Sequence, residues 1–428
     1  MIRKFLISAI VIPALMSNAF AQATFQQLLL SVRNDPVVAS QNQESAFLKK
    51  GFEGIPGIDD IELRVRNTGF DPNNFRYSLR IKPRGVLESR AAILYNNSLV
   101  TNKKLKKDLL QNIAIYNRYL LYIDLLEQKT LLELYRELIA LYDDRIHVME
   151  NSAYSEDFEL KNLIKAEDDR ADEKVFSLEI EKNISVLEQR AAAFLGDKSF
   201  AGFDTSGLVS IESIISHIEK EDLSLDTNNI YLDFYRTEID IAGTRYNLEK
   251  AQTRRYVNLL SFSYDNGDMH DELLRKYDQK PYNIHKSYSV EIGLRIPSLT
   301  LASHELNSRK ADVLKETEQY EQVKEELNEK MRKDLADLRQ LIAQYRYLKE
   351  RESQVDIEAS LNKFIQIEGI DPLTVLEIKE DILKNRIRRT SIKYGIMRNY
   401  LYVIDNAGLL SQMPIRNYLS QTQEMVQW

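Results

Sequence analysis

The 428-residue chain contains no cysteine. That excludes a disulfide framework and any thiolate metal site. Its five histidines, His147, His217, His270, His285 and His304, are scattered. None has a second histidine at i+3 or i+4, so no local metal site is suggested. There is no Gly-rich phosphate loop, no nucleophile elbow and no HExxH helix. The expectation is a protein that is not an enzyme and needs no cofactor. No run approaches about 18 consecutive apolar residues, which excludes a membrane-spanning helix. It does not exclude membrane strands, which carry polar residues at every second position. The net charge of −7 argues against nucleic acid.

Glycine and proline are scarce, at 14 and 9, and their placement is uneven. None occurs in the 110 residues from Val86 to Leu195, where average usage of roughly 12% would give about 13. None occurs between Pro297 and Gly369. Such stretches predict uninterrupted helix. Leu120, Ile123 and Leu126, then Leu131, Leu134, Leu138 and Leu141, recur at helical spacing and form a core-facing stripe. At ~1.5 Å per residue, a helix of about 65 residues would reach roughly 100 Å.

What is present is a set of short alternating strands feeding those helices. Tyr288–Pro297, YSVEIGLRIP, sets Tyr288, Val290, Ile292, Leu294 and Ile296 against Ser289, Glu291, Gly293 and Arg295. Phe75–Pro83, FRYSLRIKP, does the same with Phe75, Tyr77, Leu79 and Ile81 against Arg76, Ser78, Arg80 and Lys82. Period-2 alternation marks a strand with one apolar face, and the proline ends it. Residues 59–66 and 256–264 supply two further strands. The first hairpin's polar face also carries Arg64 and Arg66.

Residues 1–21 read as a secretory signal, with basic Arg3 and Lys4, an apolar core, and Ala19-Phe20-Ala21 before the cleavage point. Without the two leader cations the net charge becomes −9. Thr24-Phe25-Gln26-Gln27 reads as a capping box. Ser155 before Glu156 and Asp157, and Asp371 before Pro372, read as helix starts at the two tips. The halves repeat: Pro83 to Pro297 is 214 residues, Tyr154 to Gly369 is 215 and Gly196 to Gly408 is 212. The expected organisation is a first repeat over 22–196, a linker over 197–227, a second repeat over 228–408 and a polar, irregular tail over 409–428. The fold class is mostly α with a membrane β-barrel portion, built from a duplicated helix, β-hairpin and long helical hairpin.

Nine or ten strand residues at ~3.3 Å, tilted about 45°, rise roughly 20–25 Å, the height of an outer-membrane apolar band. Four strands do not close, since the smallest barrels need about eight, and open edges do not survive in lipid. The chain is therefore expected to oligomerise, with apolar faces to outer-membrane lipid and polar faces to water. Arg64, Arg66, Arg76, Arg80, Lys82, Glu291 and Arg295 are the candidates for a barrel lumen, basic at the first hairpin. The other reading has these cations bonding lipid headgroups or loop carboxylates.

TFQQLLLSVRNDPVVASQ, GLRIPSL, EGIDPLTVLEIKEDIL and NYLYVIDNAGLL, in this order, resemble the first helix, strand-to-helix signature, tip and last helix end of TolC-like outer-membrane efflux proteins. The resemblance covers nearly the whole mature chain. It implies a homotrimer, a 12-stranded barrel continued by an α-helical tunnel across the periplasm. It also implies a passive exit duct for efflux or type I secretion, docked at its tips to a periplasmic adaptor and an inner-membrane transporter. Tyr154, Ser155, Gly369, Asp371 and Pro372 are the tip candidates, and Glu377, Thr374, Glu380 and Asp381 the candidates for an acidic constriction. Thr374 stands where the family often has Asp, and the first tip lacks the family's usual Gly. Read from sequence alone, Glu377 is equally a solvated acid in a helix first turn. A periplasmic coiled-coil scaffold or adaptor without a barrel is the alternative.

Overall fold

The computed structural model describes residues 24–51, 57–67, 75–154, 158–196, 200, 202–203, 208–220, 229–265, 287–295, 299–354, 371–410, 415–421 and 425. The signal segment, Ser155, Gly369 and Pro297 lie outside them.

The N-terminal capping box forms. The Gln27 amide donates to Thr24 Oγ1 at 3.3 Å, and the Thr24 amide donates to Gln27 Oε1 at 2.9 Å. This starts α1, Phe25–Leu30. A 3-10 turn follows, and Asp35 caps the Val37 amide to restart the chain as α2, Pro36–Gly51. Strands β1, Ile58–Asn67, and β2, Phe75–Pro83, come next. Then α3, Val86–Asn151, runs 66 residues, and α4, Leu160–Leu195, returns over 36. Its N-cap residue is Glu159, and Gly196 stops it in the left-handed region, φ +67°.

A short amphipathic helix, α5 (Ile211–Lys220), precedes the second half. There α6, Ile230–Thr253, leads to β3, Val257–Asp265, and β4, Ser287–Leu294. The 56-residue α7, Leu299–Gln354, and α8, Pro372–Asn406, complete it. Asp371 and Pro372 start α8 as the sequence predicts: the Leu373 amide donates to Asp371 Oδ1 at 3.1 Å, with Pro372 in the first turn.

All four strands form one antiparallel sheet in the order β1-β2-β3-β4. Helix α3 packs against α4, α6 and α8, and α7 against α6 and α8. The principal core is a belt around the middle of the long helices. Tyr119, Ile123 and Leu125 of α3 meet Ile396, Tyr400 and Leu401 of α8, Leu338 of α7, Ile214 of α5 and Leu28 of α1. Smaller apolar clusters continue toward the tips: Leu138, Leu141 and Leu383, then Ile146, Met149 and Ala166.

The tail departs from its polar reading. Leu410, Ile415, Tyr418 and Leu419 are buried in the main belt, and Tyr119 Oη donates to the Arg416 carbonyl at 2.9 Å. Sparse apolar residues with no period gave no signal that they would converge on one tyrosine.

Candidate functional site

The register brings the apolar residues of all four strands to one face. Leu63 lies opposite Leu79, Leu79 opposite Phe262, and Phe262 opposite Val290. One step toward the helices, Ile61, Ile81, Leu260 and Ile292 align in the same way. This face is bare within the protomer: Leu63 is 71% exposed, Val290 65% and Ile292 59%. A monomeric soluble protein rarely leaves so continuous an apolar patch uncovered.

The opposite face collects the charged candidates, and three of those cations, Arg64, Arg76 and Lys82, are in ion pairs. Arg76 bonds Asp265 at 2.6 Å, a residue directly across the ladder. Lys82 bonds Asp60 and Arg64 bonds Glu62. Arg80 lies opposite Glu62 and Ser261, and Ser261 opposite Glu291. The acids offset the positive charge that Arg64, Arg66, Arg76, Arg80 and Lys82 show in a count of cations alone. Arg295 stays exposed beyond β4, its amide bonded to the Tyr256 carbonyl at 2.8 Å. At the foot of the sheet Arg255 chelates Asp59 and the buried Glu88 at the head of α3, with Arg84 on the other Asp59 oxygen at 2.9 Å. The joint between strands and helices is thus a closed ion cluster.

At the far end of the long helices, Thr374, Glu377 and Asp381 share an exposed stripe of α8. Glu380 does not share it. It turns into the α3–α8 seam, where it accepts from Tyr142 Oη at 2.8 Å, Arg145 at 2.9 Å and Lys384 at 2.7 Å. Burial raises this carboxyl, but Lys384, Tyr142 and Arg145 outweigh it and hold the group below the ordinary carboxylate range. The Tyr142 phenol is pushed up to about 12, by burial first and by Glu380 second. Arg145 also reaches Glu377 at 2.9 Å. Thr374 Oγ1 donates back to Asp371 at 3.2 Å. Tyr154, at the first tip, is fully exposed.

No protein-family model matches the sequence, and no curated protein matches it. Solved structures do match in shape. VceC, an outer-membrane protein of Vibrio cholerae, superposes with TM-score 0.66 at 13% identity, over 90% of this chain and 96% of that one. CusC, studied for its transmembrane channel formation, gives 0.64 at 9%, over 91% and 92%. The open state of the Neisseria gonorrhoeae MtrE outer-membrane channel gives 0.64 at 11%, over 90% and 89%. The chain has the TolC-like outer-membrane channel fold.

Within this TolC-like fold, sequence reasoning missed Arg145 and Tyr142. A signal was present. Leu138, Leu141 and Arg145 follow the core-facing spacing of α3, and a cation on such a stripe demands a buried partner. It also missed a polar knot where the two halves meet. Asp405 accepts from Asn112 Nδ2 at 2.6 Å and Tyr231 Oη at 3.1 Å. Asn229 and Asp334 bind the adjacent Asn406. Burial raises the Asp405 carboxyl above its ordinary value. The knot was invisible because its members are dispersed over four helices.

Proposed function

We propose that the protein is a trimeric outer-membrane channel-tunnel, the passive exit duct of a tripartite efflux or type I secretion machine. The observation that carries this reading is the bare apolar sheet face, in register across four strands whose outer members β1 and β4 have, among the described residues, one neighbour each. Lipid is the solvent that suits such a face, and a closed barrel is the only strand assembly that survives there. Three copies supply twelve strands, and the TolC-like shape supports that closure.

In this reading the paired charges of the opposite face line the water-filled lumen and keep it wettable without a strong preference for one sign. The long helices form a periplasmic tunnel. Leu160, Ile164, Val175 and Leu178 of α4 are exposed apolar residues that suit helix contacts between copies. The tips around Tyr154 and Asp371 dock a periplasmic adaptor and an inner-membrane transporter. The energy comes from that transporter, because the duct does no chemistry. Glu377, Thr374 and Asp381 narrow the entrance, with Glu380 as the anchor behind them.

Membrane fractionation of cells expressing the full chain tests the proposal. The expected result is a detergent-extractable trimer in the outer membrane. Recovery as a soluble periplasmic protein would overturn it.

A further inference from the structure

The two edges of the sheet leave charges unmatched. Among the described residues, Arg66 of β1, Glu291 of β4 and Arg295 just beyond β4 make no ion pair within the protomer, and all three are exposed. Arg66 faces Arg76 across the ladder, a like charge already held by Asp265. Like charges directly opposite are destabilising. All three unmatched groups belong to the polar face by alternation. Three strand spacings, about 14 Å, separate the two edges, so Arg66 and Glu291 do not meet inside one copy.

We infer that the β1 edge of one copy pairs with the β4 edge of a second copy at a stagger of four residues, which sets Arg66 opposite Glu291 and Glu62 opposite Arg295. The inference rests on the barrel reading above, and what it adds is which residues meet at the seam. Within the protomer one row crosses the sheet as Glu62, Arg80, Ser261 and Glu291. In a closed barrel the strands tilt, so that row reaches the next copy at a different residue of β1. The stagger is even, because an odd one would turn the apolar face inward. Over four strands ~4.8 Å apart, at ~3.3 Å per residue, a stagger of two residues per copy gives a tilt of about 19°, four about 35° and six about 46°. Barrel strands tilt by about 35–45°, which leaves four and six. Six sets Arg64 against Arg295 and carries Glu291 past Asn67, the last residue of β1. Four gives both unmatched charges of the β4 edge an opposite charge. Staggered the other way, Glu291 moves to the Ile58 end of β1, away from Arg64 and Arg66. Exposed pairs add little affinity, so these select the register and the partner edge.

The chain has no cysteine, so introduced thiols report the seam alone. Full chains carrying Arg66→Cys with Glu291→Cys are oxidised by copper phenanthroline in isolated outer membranes and run on denaturing gels without reductant. A disulfide needs Cβ atoms within about 4.5 Å, and residues two along the facing strand lie about 7–8 Å away, so neighbouring registers are told apart. The expected result is covalent dimer and trimer bands that reductant returns to monomer. They should be several-fold stronger than for Arg64→Cys with Glu291→Cys, a stagger of two, or Arg64→Cys with Arg295→Cys, a stagger of six. Charge reversal gives a second measurement. Arg66→Glu and Glu291→Arg should each lower the temperature at which the trimer dissociates, and the two together should recover most of the loss. Stronger cross-linking in either other register, or losses that simply add, would overturn the seam while the parent still runs as a trimer. A parent chain that runs as a monomer would remove the barrel reading, and the seam with it.

Discussion

Arg145 and Glu380 stand on helices from the two halves of the chain, and guanidinium and carboxylate meet at 2.9 Å. The same guanidinium holds Glu377, also at 2.9 Å. One cation thus clasps two acids spaced three residues apart on α8, close to where that helix begins. The two contacts differ in environment. The Glu380 side chain is 13% exposed and that of Glu377 58%.

The difference predicts separable effects. Glu377→Ala removes an exposed ion pair worth about 0–1 kcal/mol, so thermal stability should hardly move. If Glu377 lines the proposed entrance, conductance of the closed channel in a planar bilayer should rise. Arg145→Ala leaves a half-buried carboxylate short of one partner, costing about 1–3 kcal/mol, and should lower the melting temperature as well as raise conductance. Unchanged conductance in both variants would remove the constriction role.

Glu380 also gives the tip an acid dependence. Its folded value is held below its ordinary value of 4.5. Its contribution to stability is therefore fully present above about that pH and is lost as pH falls through the lowered folded value. Conductance of the parent channel should increase below that window. Glu380→Gln, which cannot ionise, should flatten the dependence in the same bilayer measurement.

Asp405 has the opposite sign. Burial raises its carboxyl above the ordinary value of 3.8. A raised acid contributes stability that is fully present below the unfolded value and is lost as pH rises through the folded one. Asp405→Asn keeps an acceptor for Asn112 Nδ2 and Tyr231 Oη and removes the buried charge. The variant should be more stable than the parent at neutral pH, with the advantage vanishing toward acid. Thermal unfolding of the detergent-solubilised protein across pH checks this. A lower melting temperature at neutral pH would show that the charge itself stabilises the knot.

The strands and long helices were legible because their periods are local. Alternation at Tyr77, Leu79 and Ile81, and the absence of glycine and proline after Val86, needed no knowledge of the rest of the chain. Local capping was legible for the same reason at Thr24 and at Asp371-Pro372. Partners remote in sequence were not. Arg76 finds Asp265 across 189 residues, Asn112 finds Asp405 across 293, and Tyr119 holds the tail across 297. Such pairs depend on how the two halves dock, which no window of sequence contains. A count of cations accordingly overstated the charge of the polar sheet face, because it left out the acids across the ladder.

Gly408 shows one place where docking and backbone meet. It ends the region of α8 at φ +75°, and a Cβ there would lie 3.1 Å from Asn229 Cα. Asn229 caps α6 and donates to the Asn406 carbonyl at 2.7 Å. Gly408→Ala combines left-handed strain of roughly 1–2 kcal/mol with a contact against backbone that has no flexible end to yield. The melting temperature should fall. Ala407→Gly, the neighbouring change in right-handed backbone, should fall less. Equal losses would place the cost in chain entropy rather than in the Asn229 contact.

The assignment of the two sheet faces is tested by adjacent residues. Val290 and Ser289 are neighbours in β4, and their side chains point to opposite faces. Val290 aligns with Phe262 on the bare apolar face, and Ser289 with Ser263 on the other. An arginine facing lipid at mid-bilayer costs about 2–4 kcal/mol, and the proposed trimer would bear that cost in every copy. Val290→Arg should therefore abolish outer-membrane assembly. Ser289→Arg, facing water beside Glu291, should leave the trimer intact and shift only the ion selectivity of the channel toward anions. Heat-modifiable trimer bands and reversal potentials in a salt gradient distinguish the two. If Val290→Arg assembled normally while Ser289→Arg did not, the faces would be reversed, and the lumen would be the apolar side.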